Sequence, residues 1–270
     1  MPILRLDAFA RGQLTARLHR VASQFSRAQE DADADAVHDL RVAIRRFLQV
    51  LSVFEALLPG KEVASARRKL RRLLKAAGEV RDLDVGAVLA GPRSPESIRK
   101  AFSAARWKAA ARLDRRLRLA EHRQWTERWH GKLLLADAPK PAAAFVQDLL
   151  PPMEENFRTQ GDAAAGPGTP AESLHRFRIA CKRLRYSMEL FEPLDPAGFA
   201  PRIEAIRQAQ QILGDANDCA VTAELLAEFG GAPAIEKRLT AKHRRLATQF
   251  RRNWPEIRAA AFPCLAAHGS

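Results

Sequence analysis

Residues 37–59 read VHDLRVAIRRFLQVLSVFEALLP, and residues 174–196 read LHRFRIACKRLRYSMELFEPLDP. Aligned without gaps, the two segments share a histidine near the start, cations at the same spacing and a Phe-Glu pair near the end. The matched pairs are His38 with His175, Arg41 with Arg178, Arg45 with Lys182, Arg46 with Arg183, Phe54 with Phe191, Glu55 with Glu192 and Pro59 with Pro196. A match of this extent indicates an internal repeat.

A second pair of matching segments lies downstream. Residues 76–85 read AAGEVRDLDV and residues 212–221 read ILGDANDCAV, which aligns Gly78 with Gly214. Both pairs occur in the same order along the chain, and the offset between the copies changes by a single residue. We therefore predict a duplication that gives two four-helix units related by a pseudo-twofold axis.

The composition predicts an all-α fold. Alanine, leucine and arginine dominate the 270 residues, and all three favour helices. Asp33 or Asp35 is expected to cap the second helix, and Gly78 and Gly214 are expected to interrupt helices. The predicted helices cover approximately residues 3–31, 36–58, 61–78, 82–91, 95–120, 142–160, 171–192, 199–213, 217–229 and 233–262.

The stretch ADAPKPAAAF at residues 136–145 contains two prolines among small residues and is the predicted boundary between the repeats. The first repeat is predicted to cover residues 1–139 and the second residues 140–270, which together form one domain.

The charge indicates the kind of partner. The chain has 45 Lys and Arg against 31 Asp and Glu, a net charge of +14. Solubility alone requires a net charge of only about 2–8 in a small domain. The excess favours a polyanionic partner such as nucleic acid, an anionic membrane or a phosphate polymer. The alternative, an arginine-rich solvated surface with no specific partner, remains open at this point.

Neither secretion nor membrane insertion is indicated. The N-terminal segment lacks an apolar signal core, and no apolar run approaches the ~20 residues that span a bilayer. Cys181, Cys219 and Cys264 are isolated from one another, so neither a disulfide framework nor a zinc site is expected. We expect a cytoplasmic protein.

Placed on a helix, each repeated segment has an apolar face and a basic face. The apolar face consists of Leu40, Ile44, Phe47, Leu51 and Phe54 in the first copy and of Phe177, Cys181, Leu184, Met188 and Phe191 in the second. The opposite face carries His38, Arg41, Arg45 and Gln49, flanked by Arg46, and in the second copy His175, Arg178, Lys182 and Tyr186, flanked by Arg183 and Arg185.

A row of cations one turn apart destabilises a helix slightly, and a chain of phosphates would compensate because each cation can contact a phosphate oxygen. The two histidines lie near helix N-termini, where the helix dipole also favours anions. On a single helix, a solvated basic face would explain the pattern equally well. Its presence in both copies favours a binding function.

The block with Gly78 and Asp82, and its counterpart with Gly214 and Asp218, is interpreted as structural. The glycines would permit a turn or a close helix approach, and the aspartates would cap the next helix or orient an arginine.

The segments beginning at His38 and His175, together with the block around Gly78, resemble the signature stretches of the CHAD family, the conserved histidine α-helical domain. The resemblance covers nearly the whole chain. It implies two four-helix bundles with a basic cleft between them, inorganic polyphosphate as ligand, association with polyphosphate granules, and no catalysis. The binding positions that it implies are His38, Arg41, Arg45, Arg46, His175, Arg178, Lys182, Arg183 and Arg185.

The second copy has Asn217 where the first has Arg81, so a contact from that position would be made by the first copy alone.

The strand motif of the triphosphatase domain that often accompanies CHAD is missing from the sequence, which predicts a stand-alone binding domain. No phosphate-binding glycine loop is present, and the two histidines lack a second ligand at metal-binding spacing. We therefore expect neither catalysis nor a cofactor or metal.

Two alternatives remain open. Nucleic acid would bind the same cations without specificity, although few aromatic residues are available to stack on bases. A protein-interaction module would use Trp125 and Trp129, which lie in a stretch, residues 121–138, with no counterpart in the second half. No membrane partner is expected, and the oligomeric state is left open.

Overall fold

The computed structural model describes residues 4–119, 129 and 136–263. These ranges contain eight α-helices, and their only β-type pairing is an isolated bridge between Arg5 and Pro141. The helices are α1 Leu6–Glu30, α2 Ala34–Val53, α3 Gly60–Ala90, α4 Glu96–Leu119, α5 Ala142–Ala165, α6 Ala171–Phe191, α7 Pro196–Glu228 and α8 Pro233–Ala261, with 3₁₀ turns at Glu55–Leu57 and Glu192–Leu194. The predicted all-α fold is confirmed.

The chain divides into two compact units. The first takes in residues 1–145 together with 221–236, and the second takes in residues 146–220 together with 237–270. Within the first unit, Phe229 packs edge-on against Phe102 with 4.9 Å between ring centroids, which ties residues 221–236 to α4. The duplication, the repeat boundary after residue 139 and the cleft between the repeats remain predictions.

The apolar faces of α2 and α6 form much of the two cores. All ten predicted apolar-face residues, five in each copy, are at most 1% exposed. Burial of a large apolar side chain stabilises the fold by about 1.5–3 kcal/mol, so this face fixes the rotation of each helix about its axis. The predicted apolar faces are confirmed.

An aromatic cluster forms the centre of the second unit. The Phe177 ring of α6 lies 4.9 Å from Phe157, 5.3 Å from Phe250 and 5.0 Å from Trp254, measured between ring centroids. A Cβ atom at Gly161 would lie 2.1 Å from the indole of Trp254, so only glycine permits this packing. The cluster holds α6 against α5 and α8.

The start of α2 is fixed by a side-chain cap. Asp33 accepts a hydrogen bond of 2.6 Å from the backbone N–H of Ala36, and this bond lowers the pKa of the Asp33 carboxyl. The structure therefore selects Asp33, one of the two predicted caps. Nearby, Arg27 donates a 2.9 Å hydrogen bond to Asp39, which joins α1 to the first turns of α2.

The predicted helix breaks at Gly78 and Gly214 are wrong. Helix α3 runs through Gly78 without interruption, and α7 runs through Gly214. Glycine inside a helix costs only about 1 kcal/mol relative to alanine, which the packing of a long helix outweighs. Asp82 and Asp218 consequently lie inside α3 and α7, and the predicted capping role for them is also wrong.

In the described ranges, no helix combines the length and hydropathy needed to cross a membrane.

The two faces of α6 should differ sharply in their sensitivity to truncation. We expect Phe177→Ala to reduce the free energy of unfolding by about 3–5 kcal/mol, because it removes the central ring of the aromatic cluster. Ile179→Ala on the same helix is the matched control, since Ile179 is 46% exposed and its loss should cost less than about 0.5 kcal/mol. Urea denaturation followed by circular dichroism measures both. Equal losses for the two variants would contradict the assigned orientation of α6.

Candidate functional site

The basic side chains of α2 lie on the side of the helix away from its buried face. His38 is exposed, and Arg41, Arg45 and Arg46 are partly exposed. The Nε atom of Arg46 is buried, so part of its guanidinium group lies against the protein. This is the placement that the helical periodicity predicts.

Arg41 connects α2 to α3. Its Nη1 atom donates a long hydrogen bond of 3.4 Å to the carbonyl oxygen of Leu74. The same atom would lie 2.6 Å from a Cβ atom at Gly78, so the missing side chain of this glycine leaves the space that the guanidinium occupies. The group that approaches Gly78 is thus the side chain of Arg41, whereas the predicted close approach was that of a helix.

His38 lies in a positive electrostatic environment. Its pKa is lowered from the ordinary value, first by loss of water around the ring and then by the positive charge of Arg81. Arg41 and Arg45 lower the pKa further, while Asp39 opposes them. Burial of the ring and the surrounding positive charges therefore both favour the neutral form of His38. We call His38, Arg41, Arg45 and Arg81 the α2 basic surface.

Arg81 belongs to α3, so the α2 basic surface is built by two helices. In the sequence, this position stands out only because Asn217 replaces the arginine in the second copy. Its place in the second repeated block is the sequence signal that indicates Arg81 as a residue of the basic surface. The acidic groups on either side of Arg81 in α3 form ion pairs with arginines of α4. Asp84 accepts a 2.6 Å hydrogen bond from Arg106, and Glu79 lies 3.0 Å from Arg112.

Helix α6 presents a similar set of cations in the second unit. His175 and Arg183 are exposed, and Arg178 and Lys182 are partly exposed. Beneath them, Cys181 is fully buried, and burial raises the pKa of its thiol although Lys182 and Arg178 act in the opposite direction. We call His175, Arg178, Lys182 and Arg183 the α6 basic surface.

The structure does not bring Arg185 to this surface. Its guanidinium donates 2.8 Å and 2.9 Å hydrogen bonds to Glu189 and Gln210, and its side chain is only 11% exposed. It also lies over the ring of Tyr186, 4.7 Å from the centroid. Tyr186, which the periodicity placed on the polar face, is itself 8% exposed and belongs to the core. The charge of Arg185 is balanced within its own unit.

Trp129 is a core residue. It is 2% exposed, and its ring stacks on Phe47 with 6.3 Å between centroids. It is therefore not available as the exposed anchor of an interaction module. Trp125 and Cys264 lie outside the described residues.

No group of three or more His, Cys, Asp and Glu side chains within the described part of the chain is arranged to hold a metal ion.

Cationic surfaces on two helices of matching sequence are typical of a domain that binds an anionic ligand. The CHAD domain model matches residues 12–227, which is most of the 270 residues, and the chain belongs to the CHAD family. CHAD is a binding domain that is generally non-catalytic, and the family is associated with polyphosphate binding in general. Among curated proteins, none matches this sequence.

Two solved structures share the fold. One is the crystal structure of the CHAD domain from the plant Ricinus communis, with a TM-score of 0.71, 24% identity, and coverage of 96% of this chain and 92% of that one. The other is PptA from Streptomyces chartreusis, with a TM-score of 0.65, 17% identity, and coverage of 94% and 99% respectively. At these identities, the similarity concerns the fold.

The two aligned glycines should respond differently to the same substitution. Gly214→Ala should raise the free energy of unfolding by about 0.5–1 kcal/mol, because no atom lies within 4 Å of the added methyl group and alanine is the better helix former. Gly78→Ala should raise the free energy of unfolding by less, since the added methyl group must displace the Arg41 guanidinium that lies against α3. Thermal unfolding of both variants measures the difference. An equal gain for both would contradict the Arg41 contact.

Proposed function

We propose that this protein binds inorganic polyphosphate through the α2 and α6 basic surfaces, catalyses no reaction, and associates with polyphosphate granules in the cytoplasm. The observation that carries the proposal is the cluster of cations that α2 and α3 hold around His38, in which the Arg41 guanidinium lies against Gly78 and donates to the carbonyl oxygen of Leu74. The pKa of His38 is lowered first by burial of the ring and then by Arg81, Arg41 and Arg45, despite the adjacent Asp39. The core packing of α2 holds these cations together, and a polyanion would relieve their repulsion.

The spacing of the cations suits a linear phosphate chain. Arg41 and Arg45 are four residues apart, about 6 Å along the helix axis. Arg178 and Lys182 have the same spacing on α6. Cations at this spacing can contact separate phosphates along one chain, and each arginine can donate two parallel hydrogen bonds to phosphate oxygens.

Nucleic acid is the main alternative ligand, because counterion release would attract it to the same cations. Single-stranded nucleic acid binds best where aromatic side chains stack on its bases. The aromatic side chains of α2 and α6 are all buried: Phe47, Phe177, Tyr186 and Phe191. Neither of these two helices therefore presents an aromatic platform of its own, which favours a ligand without bases.

The proposal predicts selective binding that depends on both surfaces. We expect Arg45→Glu combined with Lys182→Glu to weaken polyphosphate binding at least about a hundredfold, since each charged hydrogen bond contributes about 1.5–3 kcal/mol. The measurement is a titration with long-chain polyphosphate, duplex DNA and single-stranded DNA at near-physiological salt.

Arg115→Glu with Arg116→Glu is the matched control for this titration, because it makes the same change of net charge at two exposed positions of α4. The control variant should bind nearly as well as the wild type. Equal affinity for DNA and polyphosphate, or equal losses in both double variants, would overturn the proposal.

Binding should strengthen as the pH falls. The pKa of His38 in the free protein lies below its ordinary value of about 6.5, and a bound polyanion would raise it. Binding then takes up a proton at pH values between the free and the bound pKa, so affinity increases as the pH falls through that interval. NMR titration of the His38 ring with and without polyphosphate measures the shift, and His38→Asn should reduce the pH dependence. An unchanged His38 pKa would place the ligand away from the α2 basic surface.

A further inference from the structure

Helix α8 carries a basic face that has no part in the repeated pattern. The sequence of Pro233–Ala261 contains eight Lys and Arg but only two acidic residues, and this balance makes α8 a strongly cationic element. One of the two acids, Glu236, is engaged at the start of the helix, where its side chain accepts a 2.6 Å hydrogen bond from the backbone N–H of Ala232. The charge on the rest of the helix is therefore almost entirely positive.

Three of these arginines surround a depression on the surface of α8. Arg244, Arg245 and Arg252 line it together with Thr248 and Gln249, and its volume is about 370 Å³. All five residues are exposed. Among the residues that the structure describes, no acidic side chain forms a salt bridge with these three arginines. We call these five residues the α8 outer face.

The geometry of the depression suits a chain of phosphates. Arg244, Thr248 and Arg252 are spaced by four residues, so the two arginine positions are about 12 Å apart along the helix axis with a hydroxyl-bearing residue between them. Guanidinium, hydroxyl and amide groups all donate hydrogen bonds to phosphate oxygens. The α8 outer face has no aromatic side chain on which a base could stack, which favours a phosphate chain without bases.

This face and the α6 basic surface both lie outside the contact between α6 and α8. Phe250 and Trp254 of α8 pack against Phe177 of α6, so these residues mark the sides on which the two helices meet. At 100° per residue, Arg252 lies on the far side of α8 from Phe250 and Arg244 lies on its flank, while Arg178 and Lys182 lie on a flank of α6. Neither cationic surface is therefore covered by the packing of these two helices on each other.

We propose that the α8 outer face is a second binding surface for a phosphate chain, so that one protein molecule bridges two polyphosphate chains. This inference rests on the proposed function, because it assumes that the α2 and α6 basic surfaces hold the first chain. A binder with two separate surfaces cross-links its ligand, whereas a binder with one surface only coats it.

The test is a bridging assay with inorganic polyphosphate as both ligands. Surface-immobilised polyphosphate is saturated with protein and rinsed, and fluorescently labelled polyphosphate of the same length is then added. We expect the wild type to retain the labelled chain. Arg244→Glu with Arg252→Glu should coat the surface normally and retain at least tenfold less label, while Arg115→Glu with Arg116→Glu should behave like the wild type.

The assay separates failure of this inference from failure of the proposed function. If the wild type does not coat the surface, or if Arg45→Glu with Lys182→Glu coats it equally well, the proposed function fails. If the wild type coats the surface but retains no label, the second surface does not exist. Retention that survives the α8 substitutions would show that bridging arises elsewhere, for example by self-association, and would overturn the inference. Preferential retention of labelled single-stranded DNA would overturn it in favour of a nucleic-acid surface.

Discussion

Burial of one face of α2 and one face of α6 is the interaction on which the rest of the structure depends. Each repeated segment places five side chains in a core, and every Leu, Ile, Phe or Met among them contributes about 1.5–3 kcal/mol. Repulsion between neighbouring cations on the opposite face amounts to a few tenths of a kcal/mol for each pair. The core contribution is much larger, so the cations are held in a fixed arrangement before any anion binds, which lowers the ordering cost of binding.

The sequence predicted this arrangement because helical periodicity encodes which side of a helix is buried. Periodicity does not encode tertiary partners, and the errors are found there. Arg185 is predicted at the edge of the polar face, but Glu189 and Gln210 supply partly buried partners for the arginine. Tyr186 is predicted on the polar face but lies in the core. The glycines in α3 and α7 were interpreted as breaks, although packing along a long helix outweighs the local preference of a single residue. The α8 outer face was missed because it has no counterpart in the repeat.

The α2 basic surface differs from an ordinary solvated basic face in being shared by two helices. Arg81 reaches His38 from α3, and Arg41 extends from α2 to the glycine of α3, so each helix contributes cations to the environment of the other. A polyanion bound there would contact both helices at once. Ligand binding and the packing of α2 on α3 should therefore stabilise each other, as thermodynamic linkage requires.

The position of Cys181 has a chemical consequence. A thiol beside Lys182 and Arg178 at the protein surface would ionise readily and become a nucleophile. Here the sulfur lies on the core side of α6, where burial outweighs the neighbouring charges and raises the pKa of the thiol. The helix thus combines a dense row of cations with a sulfur atom that is shielded from oxidants and alkylating reagents. The cationic side of α6 therefore carries no exposed thiol of its own that could become a site of covalent damage.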